Sequence, residues 1–198
     1  MDQGIDFSVV AFGETEQFDF PLIMVFGRES NGSNKVIPGV SIYDETVSSR
    51  STFWNRSLTF IQRCASSKLH LRRECIKRNA GPVLFTNAIP HPILNAESDK
   101  DCIRAAVDSA SIEEHILSVF NLDIAKRVKV VVFSTGPGEK FDVARNKVKE
   151  FCLDKGIVLI DVPYFATQGG PNAVIDQSIS VEQKEFIKSV IDAYYLST

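Results

Sequence analysis

The sequence predicts an α/β protein, a three-layer α/β/α sandwich around a central, mostly parallel four-stranded sheet. Three observations carry that expectation. Four short, nearly continuous runs of aliphatic, β-branched and aromatic residues (22–26, 83–85, 128–133 and 157–162) suit strands covered on both faces. Stretches with apolar residues three and four apart lie between and after them, giving the strand–helix alternation from which parallel sheets are built. The chain has 198 residues, which suffices for one α/β domain of ordinary size and not for two, so residues 1–198 are expected to form a single domain.

The elements follow in order. After the first strand, residues 52–64 place Phe53, Leu58 and Ile61, with Trp54 and Phe60 nearby, on a broad apolar helix face. Beyond the second strand, residues 98–120 carry Ile103, Ala106, Val107, Ala110, Ile116, Leu117 and Phe120 at helical spacing. This predicts one long helix with Ser98 as its N-cap and Asp101 in its first turn. Residues 140–153 repeat Val143, Ala144, Val148, Phe151 and Cys152 in the same way. Ser180-Val181-Glu182-Gln183 has the form of a capping box opening a last helix with Phe186, Ile187, Val190 and Ile191.

Composition removes several classes. Hydrophobic residues at 44% and charged residues at 24% are ordinary globular usage, which excludes a disordered chain. No run approaches the roughly 18 apolar residues of a membrane-spanning helix, and the N-terminus lacks a basic signal-peptide start. An intracellular protein of cytoplasm or nucleus, with no membrane partner, is expected. Cys64, Cys75, Cys102 and Cys152 match neither a CxxC metal clip nor a small disulfide framework, so free thiols and no metal are expected. The net charge of −3 hides an uneven distribution: residues 1–20 hold five acids and no Lys or Arg, whereas residues 50–79 carry a local excess of +7 that includes Arg72 and Arg73. Such a segment is either a solvated face or an attractor of polyanions.

In parallel sheets ligands sit beyond the carboxyl ends of the strands, so the four strand-end segments are where chemistry is sought. The first is Gly27-Arg28-Glu29-Ser30, where glycine permits close backbone approach and Glu29 is either a catalytic carboxylate or an ion-pair partner. The second is Phe85-Thr86-Asn87, followed by Ala88-Ile89-Pro90-His91-Pro92. The Asn87 amide, an acceptor with two donors, suits the edge of a base or ties down the loop, while His91 between prolines is expected to be a rigid surface residue. The third, Ser134-Thr135-Gly136-Pro137-Gly138-Glu139, enters a helix and is either a phosphate-holding turn or a plain one, and it is neither a P-loop nor GxGxxG. The fourth, residues 163–172, offers Tyr164, Phe165, Thr167, Gln168 and Gly169 to wall a pocket or grip a phosphodiester.

Taken in order, these segments resemble the uracil-DNA glycosylase superfamily over about residues 21–172. In that family the first strand leads into a Gly motif whose third residue positions water; Gly27-Arg28-Glu29-Ser30 stands there, with Glu for the usual Asp and Ser30 for Pro. Phe85-Thr86-Asn87 looks like the family's base-reading element and Phe53-Trp54-Asn55 like its aromatic helix start. The final motif's His has no counterpart in residues 164–170.

The resemblance implies hydrolysis of an N-glycosidic bond after a deaminated base is flipped from DNA into a pocket. Glu29 and Asn87 would be catalytic, and Gly27, Arg28, Tyr43 and Asn87 would line the base. Ser30, Thr167, Gln168, Gly169, Arg72 and Arg73 would contact DNA. The partner would be DNA, the protein a monomer, and no metal or organic cofactor would be used. Two other readings stand beside this one: a hydrolase of small nucleosides or nucleotides using Gly136-Pro137-Gly138 for phosphate, and a non-catalytic nucleic-acid-binding protein on the same fold.

Overall fold

A computed structural model describes residues 5–6, 22–28, 52–65, 83–92, 104–122, 125–165 and 179–196. All four expected strands are present within one or two residues of their apolar runs: β2 (Ile23–Gly27), β3 (Val83–Asn87), β5 (Val130–Phe133) and β6 (Val158–Asp161). They form one all-parallel sheet in the order β3-β2-β5-β6. Every residue of β2 and β5 is buried, as strands with neighbours on both edges and cover on both faces should be, while β6 at the sheet edge is half-buried. Register keeps the carboxyl ends level: Gly27 pairs with Asn87, Phe26 with Phe133, and Phe133 with Asp161.

The helices cover the two faces in pairs. α1 (Thr52–Cys64) packs on α4 (Val181–Leu196), and α2 (Ser109–Phe120) packs on α3 (Glu139–Lys155). Right-handed crossovers require this division. From β2 the chain steps one way to β3 through α1. From β3 it steps back over β2 to β5 and on to β6 through α2 and α3, which places the latter pair on the opposite face. Phe53, Leu58, Phe60 and Ile61 from α1 join the sheet residues, Ile112 and Ile116 from α2, Ala144 and Val148 from α3, and Ile187 and Ile191 from α4 in one core cluster.

Local chemistry sets the helix ends. At α4 the capping box forms reciprocally, with the Ser180 amide donating to Gln183 Oε1 at 3.0 Å and the Gln183 amide to Ser180 Oγ at 3.2 Å. α3 ends on Gly156 in the left-handed region (φ +65), whose amide returns to the last turn. α2 corrects the expectation of one helix over residues 98–120. Residues 104–106 are helical, the chain leaves the helix at Val107 and Asp108, and α2 begins at Ser109. Asp108 is extended and its side chain accepts from the Ser111 amide at 2.7 Å, making it the N-cap; that bond also holds its carboxyl below the ordinary aspartate range. Val107 is fully buried and its carbonyl accepts from Lys140 Nζ, so tertiary contacts fix the break. Ser98 and Asp101 lie outside the described residues.

The backbone of His91, expected to be a rigid surface residue between prolines, belongs to β4 (His91–Pro92), which pairs antiparallel with β1 (Ile5–Asp6), Asp6 opposite His91. Cys64 and Cys152 are buried free thiols, pushed up by burial to about 11 and about 12, hence unreactive in the folded protein. Cys75 and Cys102 fall outside the described residues. Among the described residues no helix is long and apolar enough to cross a membrane.

Candidate functional site

In the order β3-β2-β5-β6 all strands run parallel, but the connections step to one side of β2 to reach β3 and to its other side to reach β5 and β6; in open parallel sheets the switch point this leaves between β2 and β5 is where ligands lodge. A cleft of about 460 Å³ opens there, lined by Arg28, Gly136, Pro137, Asp142, Arg145, Asp161 and the 162–164 segment. Its size is that of a small-molecule site.

Beside the cleft, the carboxyl end of β2 is built around Gly27. A Cβ at Gly27 would lie 3.0 Å from Phe53 Cε1 and 3.4 Å from Asn87 Oδ1, so the residue must be small for the α1 ring and the β3 amide to approach it. Phe53 cannot easily give way, since its ring stacks on Tyr164 with centroids 5.4 Å apart and also meets Phe165. The loop after β3 is tied back to the same place: the Ala88 amide donates to the Gly27 and Arg28 carbonyls at 2.9 Å, and the Ile89 amide to the Arg28 carbonyl. The backbone beyond Asn87 thus anchors this loop.

His115 supports the arrangement from behind. It is buried at 3% exposure on α2, and its Nε2 lies 2.8 Å from the Asn87 carbonyl. A carbonyl only accepts, so Nε2 carries the hydrogen and donates it. The sequence pattern 112, 115, 116, 119, 120 contains this histidine on the buried face of α2, whereas Leu117, expected on that face, is 38% exposed.

Opposite stands the turn after β5. Ser134 is fully buried; its hydroxyl donates to the Pro163 carbonyl and accepts from the Phe165 amide, both at 3.0 Å, and so brackets Tyr164. From α1, Arg56 Nη1 donates to the Phe165 carbonyl at 2.8 Å, which gives one cation of the basic segment a structural task. Two guanidinium groups hold the turn itself. Arg28 Nε donates to the Thr135 carbonyl at 2.6 Å and Arg145 Nη2 to the Gly136 carbonyl at 2.8 Å. Gly136 has φ +74, a conformation that disfavours any side chain there.

The two arginines differ in their surroundings. Arg145 is ion-paired with Asp142 and with Asp161, whose Oδ2 lies 2.8 Å from Nε, a close charge contact in which the N–H is not aligned for a hydrogen bond. Burial raises the Asp161 carboxyl, Arg145 pulls it back and Asp142 pushes it up again; because the side chain keeps 44% of its exposure, water screens part of that shift. Arg28 instead lies over the Tyr164 ring, its Cζ 4.0 Å from the centroid, with the Phe141 ring at 5.5 Å.

Of the site residues expected from sequence, Gly27, Arg28 and Asn87 are brought together at adjacent strand ends; Arg28 lines the cleft with Gly136 and Tyr164, whereas Gly27 and Asn87 stand beside it and are not among its lining residues. Glu29, Ser30, Tyr43, Arg72, Arg73, Thr167, Gln168 and Gly169 lie outside the described residues, as do the side chains of Trp54 and Asn55. The sequence reading missed Asp142, Arg145, Asp161 and His115. Asp161 had a usable signal, a charge at the carboxyl end of an apolar strand; Arg145 reads as an ordinary exposed helix cation. Among the described residues no group of three or more His, Cys, Asp or Glu side chains is placed to hold a metal ion. No family model, curated protein or solved structure matches the chain.

Proposed function

We propose that the protein is a DNA glycosylase of the uracil-DNA glycosylase type, which hydrolyses the N-glycosidic bond of a deaminated base. The observation that supports this most is the pairing of Gly27 with Asn87 at level strand ends, where the absence of a Cβ lets the Asn87 amide and the Phe53 ring converge. An amide held at a strand end has the chemistry to read a flipped base, matching donors and acceptors on its edge, while the buried Phe53 ring serves to back Gly27. Asn87 reads the base in this proposal, and Glu29, the second residue after Gly27, orients the water that adds to the sugar C1′. As the bond breaks, the base leaves with the bonding electron pair and takes a proton, and the carboxylate stabilises the positive charge that develops on the sugar. Tyr43 supplies the ring that covers a face of the base. Ser30, Thr167, Gln168 and Gly169 meet the DNA backbone, with Arg72 and Arg73 guiding it. The protein works inside the cell as a monomer, with DNA as its partner and without metal or organic cofactor.

A second reading has one observation in its favour: the cleft beside Gly136 and Pro137 has the volume of a small-ligand pocket, as a hydrolase of free nucleotides requires. One assay separates the two. Labelled oligonucleotides carrying uracil, hypoxanthine or xanthine, and the matching mononucleotides, are incubated with wild type and with Glu29→Ala. Base release from an oligonucleotide that disappears in the variant supports the glycosylase. Release from mononucleotides alone supports the second reading, and no release from any substrate by folded protein overturns both.

A further inference from the structure

We propose that Arg28 is a phosphate-binding residue, presenting the Nη1–Nη2 edge of its guanidinium to a phosphate group of a nucleotide at the mouth of the switch-point cleft. The family resemblance implies a place for it against the base; the geometry points to phosphate. A guanidinium offers two forked edges, and here the Nε side is occupied by the Thr135 carbonyl at 2.6 Å. The Tyr164 ring, 4.0 Å from Cζ, covers one face. Among the described residues nothing is bonded to the end-on fork, whose spacing matches two oxygens of a phosphate.

Two contacts fix the plane of this fork before any ligand arrives, so the rotamer freedom that ordinarily opposes binding by a long side chain has already been lost. Tyr164 is itself held by the Ser134 bracket and the Phe53 stack, so the platform is rigid. Gly136 runs against the same edge, where a Cβ would lie 3.1 Å from Arg28 Nη2; glycine there keeps the fork uncovered.

Charge distinguishes Arg28 from its neighbour. The cleft's two carboxylates, Asp142 and Asp161, are both drawn to Arg145. Among the described residues no carboxylate pairs with Arg28, whose partners are one carbonyl and two rings. A half-buried cation with fixed geometry, and with a donor pair and charge that no described residue matches, is complemented by an anionic ligand. The choice of phosphate over another oxyanion rests on the nucleotide chemistry proposed above.

The test is calorimetric titration of wild type, Arg28→Lys and Arg28→Gln with inorganic phosphate, 2′-deoxyuridine 5′-monophosphate and a short single-stranded oligodeoxynucleotide, with thermal unfolding recorded for each protein. Arg28→Lys keeps a cation that can reach the Thr135 carbonyl but has no fork. Wild type is expected to bind at least one probe, with affinity about ten- to a hundredfold weaker in both variants, and the oligonucleotide's salt slope reduced by about one. Tight binding of the mononucleotide alone assigns a terminal phosphate, and of the oligonucleotide alone a phosphodiester. Wild-type affinity of Arg28→Lys for every probe, or no binding by wild type, overturns the assignment. Base release read in parallel separates the two proposals: release at unchanged KM in Arg28→Gln removes the Arg28 role and leaves the glycosylase. Lost phosphate affinity in a protein that releases no base does the reverse.

Discussion

Asn87→Ala is expected to slow base release from a uracil-, hypoxanthine- or xanthine-containing oligonucleotide by about a hundred- to a thousandfold, the loss typical of one well-placed hydrogen-bonding group acting on developing charge. The same substitution is expected to leave the thermal unfolding midpoint within a degree or two, as surface changes generally do. The structure gives the reason for separating the two readouts. The contacts that hold the end of β3 come from its backbone: the Asn87 carbonyl accepts from His115, and the Ala88 and Ile89 amides bond to the end of β2. The side-chain amide lies beside Gly27, where truncation opens space without removing those bonds. A fall in the midpoint that accompanies the loss of activity would mark Asn87 as structural, and unimpaired release would remove it from the base-reading role.

Phe133→Ala is expected to destabilise the fold by about 3–5 kcal/mol, the usual cost of emptying a buried phenylalanine site. Against the roughly 5–15 kcal/mol that separates folded from unfolded domains, this is a large fraction. Phe133 is fully buried in a central strand, pairs with Phe26 in register, and has its ring centroid 5.7 Å from that of Phe26. Strands on both sides limit how far the surroundings can collapse into the gap. Arg145 also lies over the ring, with Cζ 5.4 Å from the centroid, so a residue that lines the cleft loses a contact as the core loses volume. Denaturant unfolding should show a lower midpoint at unchanged slope. A shift below 1 kcal/mol would mean that the core is far more plastic than its packing implies.

Much of the fold was legible because its cause is local. Parallel strands buried on both faces have no alternation to confuse with a helix, so the runs around Val25, Leu84, Val131 and Leu159 announce themselves. The capping box at Ser180 and Gln183 is likewise local chemistry. The break at Val107 and Asp108 was not legible, since apolar spacing runs on through it; burial of Val107 and its bond from Lys140, an element away, impose it. β1 and β4 escaped because two-residue strands have no period. In the site, Gly27, Arg28 and Asn87 could be named because they directly follow strands. The direction of Arg28 could not, because it depends on Thr135 and Tyr164 from distant segments.

The most direct measurement is a map of amide chemical shifts on adding an oligonucleotide that carries 2′-fluoro-2′-deoxyuridine, whose fluorine disfavours positive charge on the sugar and so slows cleavage. Shifts concentrated at Gly27, Arg28, Asn87, Gly136 and Tyr164, and absent from the far ends of β2 and β5, are the expected result for a base and its phosphate at the switch point. Shifts at the amino ends of the strands or on α4, or none at any concentration, would contradict a nucleic-acid site at the carboxyl ends of this sheet.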